Sequence, residues 1–117
     1  YEDLCPRVLR VMSFHDPAAR EAIGALDADW FLLGQTGILK PELLSCARRG
    51  VLNAHPGWLP DYRGLQPALW TLADGLPEKL ASTLHFVDAG IDTGAIVQRR
   101  ALGRVDLPAF EALETRL

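Results

Sequence analysis

The hydrophobic pattern of this chain comes in short apolar runs, separated by turn residues and by stretches with helical spacing. Val8-Leu9-Arg10-Val11-Met12 is an apolar run closed by polar residues, which predicts a buried strand. Asp16-Pro17 supplies a capping residue and a proline at the first helical position. With Ala19, Ile23 and Leu26 at helical spacing, a helix is predicted over residues 17–27. Asp29-Trp30-Phe31-Leu32-Leu33-Gly34 reads as a second buried strand, with Gly34 opening a loop to Gly37. A helix from Pro41 to Arg49 is closed by Gly50, and Val51-Leu52-Asn53 is the third strand.

Alternation of this kind implies an α/β sheet with parallel pairing and right-handed crossovers. Beyond the third strand, Gln66 to Asp74 carries Ala68, Leu69, Leu72 and Ala73, a short helix ended by Gly75. Ser82-Thr83-Leu84-His85-Phe86-Val87 alternates polar with apolar residues, the mark of a half-buried strand. The loop Asp88 to Gly94 is rich in aspartate and glycine. Ala95-Ile96-Val97-Gln98 is the returning strand, antiparallel to the one before it, and Leu107-Pro108 opens a last helix. Repeats, low-complexity runs and internal linkers are absent from the sequence.

Composition narrows the class. At 117 residues the chain reads as one domain, 1–117, able to bury about two thirds of its unfolded surface. Hydrophobic residues at 49% and charged ones at 23% are ordinary for a globular protein. Twelve Lys and Arg against 15 Asp and Glu leave −3, which gives no general pull toward nucleic acid or acidic membranes. Cys5 and Cys46 have no short spacing and read as reduced thiols. No run approaches the 18 or so apolar residues of a membrane span, so a cytoplasmic protein is expected. The chain begins at Tyr1 and stops within a helical pattern, so both ends are expected to be cut.

Chemistry concentrates after the third strand, in Asn53-Ala54-His55-Pro56-Gly57-Trp58-Leu59-Pro60-Asp61-Tyr62-Arg63-Gly64. Ligands of open α/β sheets bind outside the carboxyl ends of the strands. Asn53 and His55, two residues apart, point to the same side of a strand. Both can donate hydrogen bonds, which suits a developing oxyanion; the bland alternative for His55 is a structural hydrogen-bonding role. Asp92 is either a turn residue or a carboxylate partner for His55. Metal ligation asks for three or four compact ligands, and His15, His55, His85, Cys5 and Cys46 show no such spacing. A serine elbow is lacking. Arg63 is a surface charge or an anion anchor, while Trp58, Tyr62 and Trp70 read as packing. Gly34-Gln35-Thr36-Gly37 fits neither common phosphate fingerprint.

Three blocks together resemble a known family. They are Asn53-x-His55-Pro56-x-x-Leu59-Pro60-x-Tyr62-Arg63-Gly64, then Thr83-Leu84-His85, then Asp88-x-Gly90-x-Asp92-x-Gly94-x-Ile96. Their order and spacing are similar to those of the folate-dependent formyltransferases, which act on glycinamide ribonucleotide, methionyl-tRNA or sugar nucleotides, and of formyltetrahydrofolate deformylase. The resemblance runs from about Asp29 to Gln98. It implies a Rossmann-like, mostly parallel sheet with helices on both faces and a C-terminal antiparallel pair. It also implies 10-formyltetrahydrofolate as co-substrate, no metal, and a primary amine as acceptor, of the sugar-nucleotide or methionyl-tRNA type, with Leu65-Gln66-Pro67 and Trp70 closer to the sugar-amine branch. Nucleic acid would be a partner only if that acceptor is a tRNA. Water as acceptor, or a non-catalytic folate-binding domain, are the alternatives.

By motif position the resemblance makes Asn53, His55 and Asp92 catalytic. It places the pterin between Gly37, Ile38 and Leu39 on one side and Asp88, Gly90 and Ile91 on the other. Tyr62, Arg63 and Gly64 would meet the acceptor. The chain departs from the family at Gly57, where a small polar residue is usual, and at Trp58, where leucine is frequent. Ala81 or Ser82 stands where a glycine commonly precedes the Thr-Leu-His strand. The family domain also begins roughly one βαβ unit earlier.

Overall fold

The computed structural model describes residues 8–34 and 36–103. Helix α1 spans Pro17–Gly24, strand β1 Trp30–Leu33, helix α2 Pro41–Leu44 and strand β2 Gly50–His55. Helix α3 follows at Pro67–Ala73, then a 3₁₀ turn at Pro77–Lys79, strand β3 at Ala81–Phe86 and strand β4 at Ile96–Ala101. Each α-helix opens on a proline, whose fixed φ suits the first helical position and whose missing N–H has no partner to lose there. Asp16 does occupy the cap position of α1, but its side chain makes no capping hydrogen bond.

The four strands form one sheet in the order β1-β2-β3-β4. β1 and β2 are parallel, joined through α2. β2 with β3 and β3 with β4 are antiparallel. The α/β class is as expected, but antiparallel pairing starts one strand earlier than the sequence pattern implied. The connection from His55 to Ala81 stays at the end where β2 finishes, so β3 must run back along it. That places His55 opposite Thr83 and Asn53 opposite His85.

Three further expectations are corrected. Val8 to Met12 forms no strand: Val8, Leu9, Val11 and Met12 are all exposed, Met12 completely. An apolar run becomes a strand only where a neighbouring ladder receives it, and β1 does not pair with this one. α2 ends at Leu44, five residues short of the expected Arg49, in turns whose Arg48 and Arg49 N–H groups donate to the Ala28 and Asp29 carbonyls. Trp70, expected in the packing, is 62% exposed on α3. Cys46 carries a free thiol that donates to the Glu42 carbonyl; Cys5 and the Leu107-Pro108 helix lie outside the described residues.

Among the described residues, no helix is long and apolar enough to cross a membrane. The core gathers Leu43, Val51, Leu59, Leu80 and Ala81. Leu59, 1% exposed, anchors the loop after β2. Leu59→Ala is therefore expected to cost about 2–5 kcal/mol by removing buried methyl groups and leaving a cavity, read as a lower midpoint in denaturant unfolding.

Candidate active site

Side chains directly opposite one another on paired strands share a face. The register Asn53↔His85 and His55↔Thr83↔Arg99 therefore puts five polar residues of β2, β3 and β4 on one side of the sheet. That side is the buried one: His55 is 3% exposed, Thr83 0% and His85 1%. The apolar partners in the alternation of β3, Leu84 and Phe86, are only half-buried. Buried polar groups are costly unless hydrogen-bonded, and here the loop after β2 supplies much of the bonding.

Thr83 Oγ1 donates to the Gly57 carbonyl at 2.6 Å and accepts from the Leu59 N–H at 3.4 Å. His55 Nε2 lies 2.8 Å from the Tyr62 carbonyl. A carbonyl can only accept, so this nitrogen carries a hydrogen, a tautomer assigned from geometry. Nδ1 of the same ring faces Asp92 Oδ2 at 3.4 Å. His85 is arranged the other way round. Its Nδ1 donates to the Phe86 carbonyl at 2.7 Å, and its Nε2 stands 3.4 Å from Asn53 Nδ2 and 3.5 Å from Asp92 Oδ1. Unprotonated Nε2 accepts from the Asn53 amide; protonated, it donates to Asp92 instead.

Asp92 thus sits between two imidazoles, with its Oδ2 also accepting the Gly64 N–H at 2.8 Å. Its delivery depends on the β3–β4 loop. That loop leaves Phe86, whose N–H donates to the Ala95 carbonyl, and folds back over the buried face. Asp92 takes φ 50 there, a left-handed conformation that Asp tolerates better than most residues. At Gly94 a Cβ would overlap the Phe86 carbonyl, so only glycine passes. Asp88 Oδ1 accepts from Thr93 Oγ1 at 2.5 Å and from the Gly90 N–H at 3.0 Å. The Thr93 bond, then the Gly90 bond, hold the Asp88 carboxyl below its ordinary range.

The structure brings His55 and Asp92 into direct contact and links Asn53 to Asp92 through His85. Tyr62 and Gly64, expected to meet the acceptor, have polar groups engaged inside the chain. The Tyr62 hydroxyl donates to Asp74 Oδ2 at 2.8 Å, its carbonyl serves His55, and the Gly64 N–H serves Asp92. Arg63 is the exposed member of that trio. Of the expected pterin residues, Ile38 and Ile91 are exposed, and the Ile38 carbonyl is held by His15 Nε2 at 3.1 Å. Leu39 lines a cavity of about 420 Å³ that lies against β1 among Phe14, Ile23, Trp30, Leu33 and Leu43. Asn53, His55 and Asp92 do not line it.

His85 and Thr83 are the residues that sequence reasoning left out of the site. The signal was available in the Thr83-Leu84-His85 block, but polar positions of an alternating strand read by default as the solvent face. Arg99, which reaches Leu59 and Trp58 from β4, carried no signal at all.

The family described as Formyl transferase matches residues 6–115. Over 88 residues the chain is 41% identical to a methionyl-tRNA formyltransferase of a Cyanothece species, covering 74% of this chain and 26% of that protein. A glycinamide ribonucleotide transformylase from Symbiobacterium toebii superposes with a TM-score of 0.70 at 30% identity, covering 85% of this chain and 47% of that one. A formyltransferase from Anoxybacillus kamchatkensis, solved with a formamido sugar nucleotide and tetrahydrofolate, matches in fold with a TM-score of 0.58 at 23% identity, over 93% of this chain and 55% of that one. The chain spans about a quarter of the curated relative and about half of each solved neighbour. The formyltransferase fold is the one the sequence resemblance implied, although in the described sheet only β1 and β2 pair in parallel.

Two outcomes follow from this geometry. A Cβ on Gly57 would stand 2.6 Å from Pro67 Cβ and 2.8 Å from both His55 Nε2 and the Tyr62 carbonyl. Gly57→Ala is therefore expected to destabilise by about 1–3 kcal/mol, the usual range for overpacking, as measured by denaturant unfolding. Burial, then the bond to Asp74, raise the Tyr62 phenol above its ordinary range. A raised folded pKa means the stabilisation is complete below the ordinary tyrosine pKa and is lost as pH climbs through the raised one. The stability advantage over Tyr62→Phe should thus hold at neutral pH and shrink in alkali, as read from melting temperatures across that range.

Proposed function

The chain belongs to the formyl transferase family, and from that premise we propose that it moves a formyl group from 10-formyltetrahydrofolate to a primary amine. The observation that carries this reading is the contact of His55 with Asp92 on a buried sheet face beside Asn53. The amine nitrogen attacks the formyl carbon, a C–N bond forms, and the carbonyl electrons move onto oxygen. Asn53 has two amide hydrogens; with one directed at His85, the other serves the oxyanion. His55 Nε2 is engaged with the Tyr62 carbonyl, so His55 acts through Nδ1 together with Asp92. This pair takes the proton that the attacking amine must lose. The bond from carbon to the folate nitrogen then breaks, the electron pair stays on that nitrogen, and the proton is delivered there.

The pterin is placed between the Gly37-Ile38-Leu39 segment and the Asp88 to Ile91 segment, held mainly by backbone groups. The Asp88 carboxylate, already bonded within its own loop, shapes this wall. For the acceptor we favour the amine of methionyl-tRNA, because the curated relative at 41% identity is named for that reaction. Arg63, exposed beside Gly64, is the group assigned to an acceptor phosphate.

The full-length protein should convert 10-formyltetrahydrofolate to tetrahydrofolate only when an amine acceptor is present, with methionyl-tRNA preferred over a sugar-nucleotide amine. Asn53→Ala should lower kcat by about 10²–10³-fold, the usual cost of an oxyanion donor. Asp92→Asn should lower kcat with little change in folate binding. Formate release that needs no amine would convert the reading to a hydrolase. Folate binding without turnover, indifferent to Asn53→Ala, would leave a binding domain.

A further inference from the structure

We propose that Arg99 is the positioning residue of this site: a guanidinium on β4 that clamps the Trp58-Leu59 segment and thereby fixes the ring of His55. Four links connect them. The Arg99 side chain donates through Nη2 to the Leu59 carbonyl, and its guanidinium carbon lies 4.4 Å from the centroid of the Trp58 ring. The Trp58 carbonyl accepts the Tyr62 N–H at 2.9 Å, closing the turn between them. The Tyr62 carbonyl accepts from His55 Nε2 at 2.8 Å. Arg99 therefore acts on His55 through one turn of backbone, the five residues from Trp58 to Tyr62.

The ladder makes this geometry possible. His55, Thr83 and Arg99 form one cross-strand row, so the clamp rises from the same sheet face as the ring it fixes. Thr83 holds Gly57 and Leu59 from the middle of that row, and Arg99 holds Trp58 and Leu59 from its outer end. The contact asks for a planar cation. Stacking on Trp58 while donating sideways to Leu59 uses the flat, forked guanidinium, and a lysine ammonium cannot do both.

Stability alone is a poor reason for this arginine. Among the described residues no carboxylate pairs with it, and its Nε is buried with no hydrogen-bond partner. A buried donor left unmatched is unfavourable, and an aliphatic side chain would cover Trp58 without that cost. The consequence for catalysis rests on the formyl-transfer reading above; the consequence for His55 does not.

The test uses the full-length protein with Arg99→Ala, Arg99→Lys and Trp58→Leu. Long-range proton–nitrogen NMR of the imidazoles, with His55 assigned by loss of its signal in His55→Gln, reports which ring nitrogen carries the proton. In the unaltered protein that nitrogen is Nε2. In Arg99→Ala and Arg99→Lys the proton should spread over both nitrogens, and kcat for formyl transfer should fall by about tenfold or more while KM for the folate stays within about twofold. Trp58→Leu should act in the same direction, and the Arg99→Ala/Trp58→Leu pair should be no worse than Arg99→Ala alone. A lower melting temperature with an unchanged His55 signal in the folded Arg99→Lys variant would make Arg99 merely structural and overturn the proposal. An unaltered protein that transfers no formyl group would defeat the functional reading, and the His55 spectrum would still decide the role of Arg99.

Discussion

Burying an imidazole is unfavourable unless its nitrogens find partners, and the backbone of a β-strand has few groups to spare, because the ladder already uses most of them. Everything around the candidate site follows from how that requirement is met. β3 returns antiparallel along the last residues of β2, so His55 and His85 come to the same face one row apart. His85 turns its Nδ1 to its neighbour's carbonyl, while His55 depends on the loop that follows it. The loop is thus more than a connection between strands. Its carbonyl at Tyr62 and its N–H at Gly64 reach His55 and Asp92 respectively.

The second constraint is that Asp92 must arrive over the face from a loop that leaves the sheet at its other end. Val87 donates to Val51, near the start of β2, whereas the imidazoles sit toward its finish. A chain that must double back within seven residues needs close approaches and left-handed backbone. The Asp88-x-Gly90-x-Asp92-x-Gly94 pattern reads as a description of that path. Asp88 ties the loop to Thr93 and Gly90, Asp92 turns it, and Gly94 slides under the Phe86 carbonyl. Residues that look like a ligand-binding signature are in part the devices that bend the loop. This explains why the Asp88 carboxyl is held below its ordinary range chiefly by the Thr93 and Gly90 bonds of its own loop, with the charge of His85 a smaller contribution.

Much of this was legible in the sequence, and the reasons divide cleanly. β1, β2, β3 and β4, and the starts of the three α-helices, were readable because proline, glycine and apolar runs act locally. The early end of α2 and the failed strand at Val8 to Met12 were not, since each is decided by a partner distant in sequence. The antiparallel return of β3 belongs to the same class, and with it the burial of His85. Asn53, His55 and Asp92 could be named from motif spacing, but spacing could not say that a second histidine stands between the amide and the carboxylate. Nor could it show that Tyr62 and Gly64 face inward. Arg99 shows the limit most clearly. An arginine on an outer strand has no local mark, and only the register places it in line with His55.

The two departures from the family pattern at Gly57 and Trp58 make sense as one change in the same loop. A side chain at 57 would strike His55 Nε2 and the Tyr62 carbonyl, the two atoms whose bond fixes the ring. Leaving position 57 bare lets the backbone close directly on the imidazole, with Thr83 bonding to the buried Gly57 carbonyl. Such a tight turn is supported from only one side unless its next residue is also held, and glycine contributes no side chain for that purpose. Trp58 provides the broad flat surface that glycine lacks, and the Arg99 guanidinium covers it. The loop therefore gains close contact with His55 at one residue and recovers its rigidity at the next. In that sense Trp58 is less a wall of the ligand site than the outer half of the device that holds His55 still.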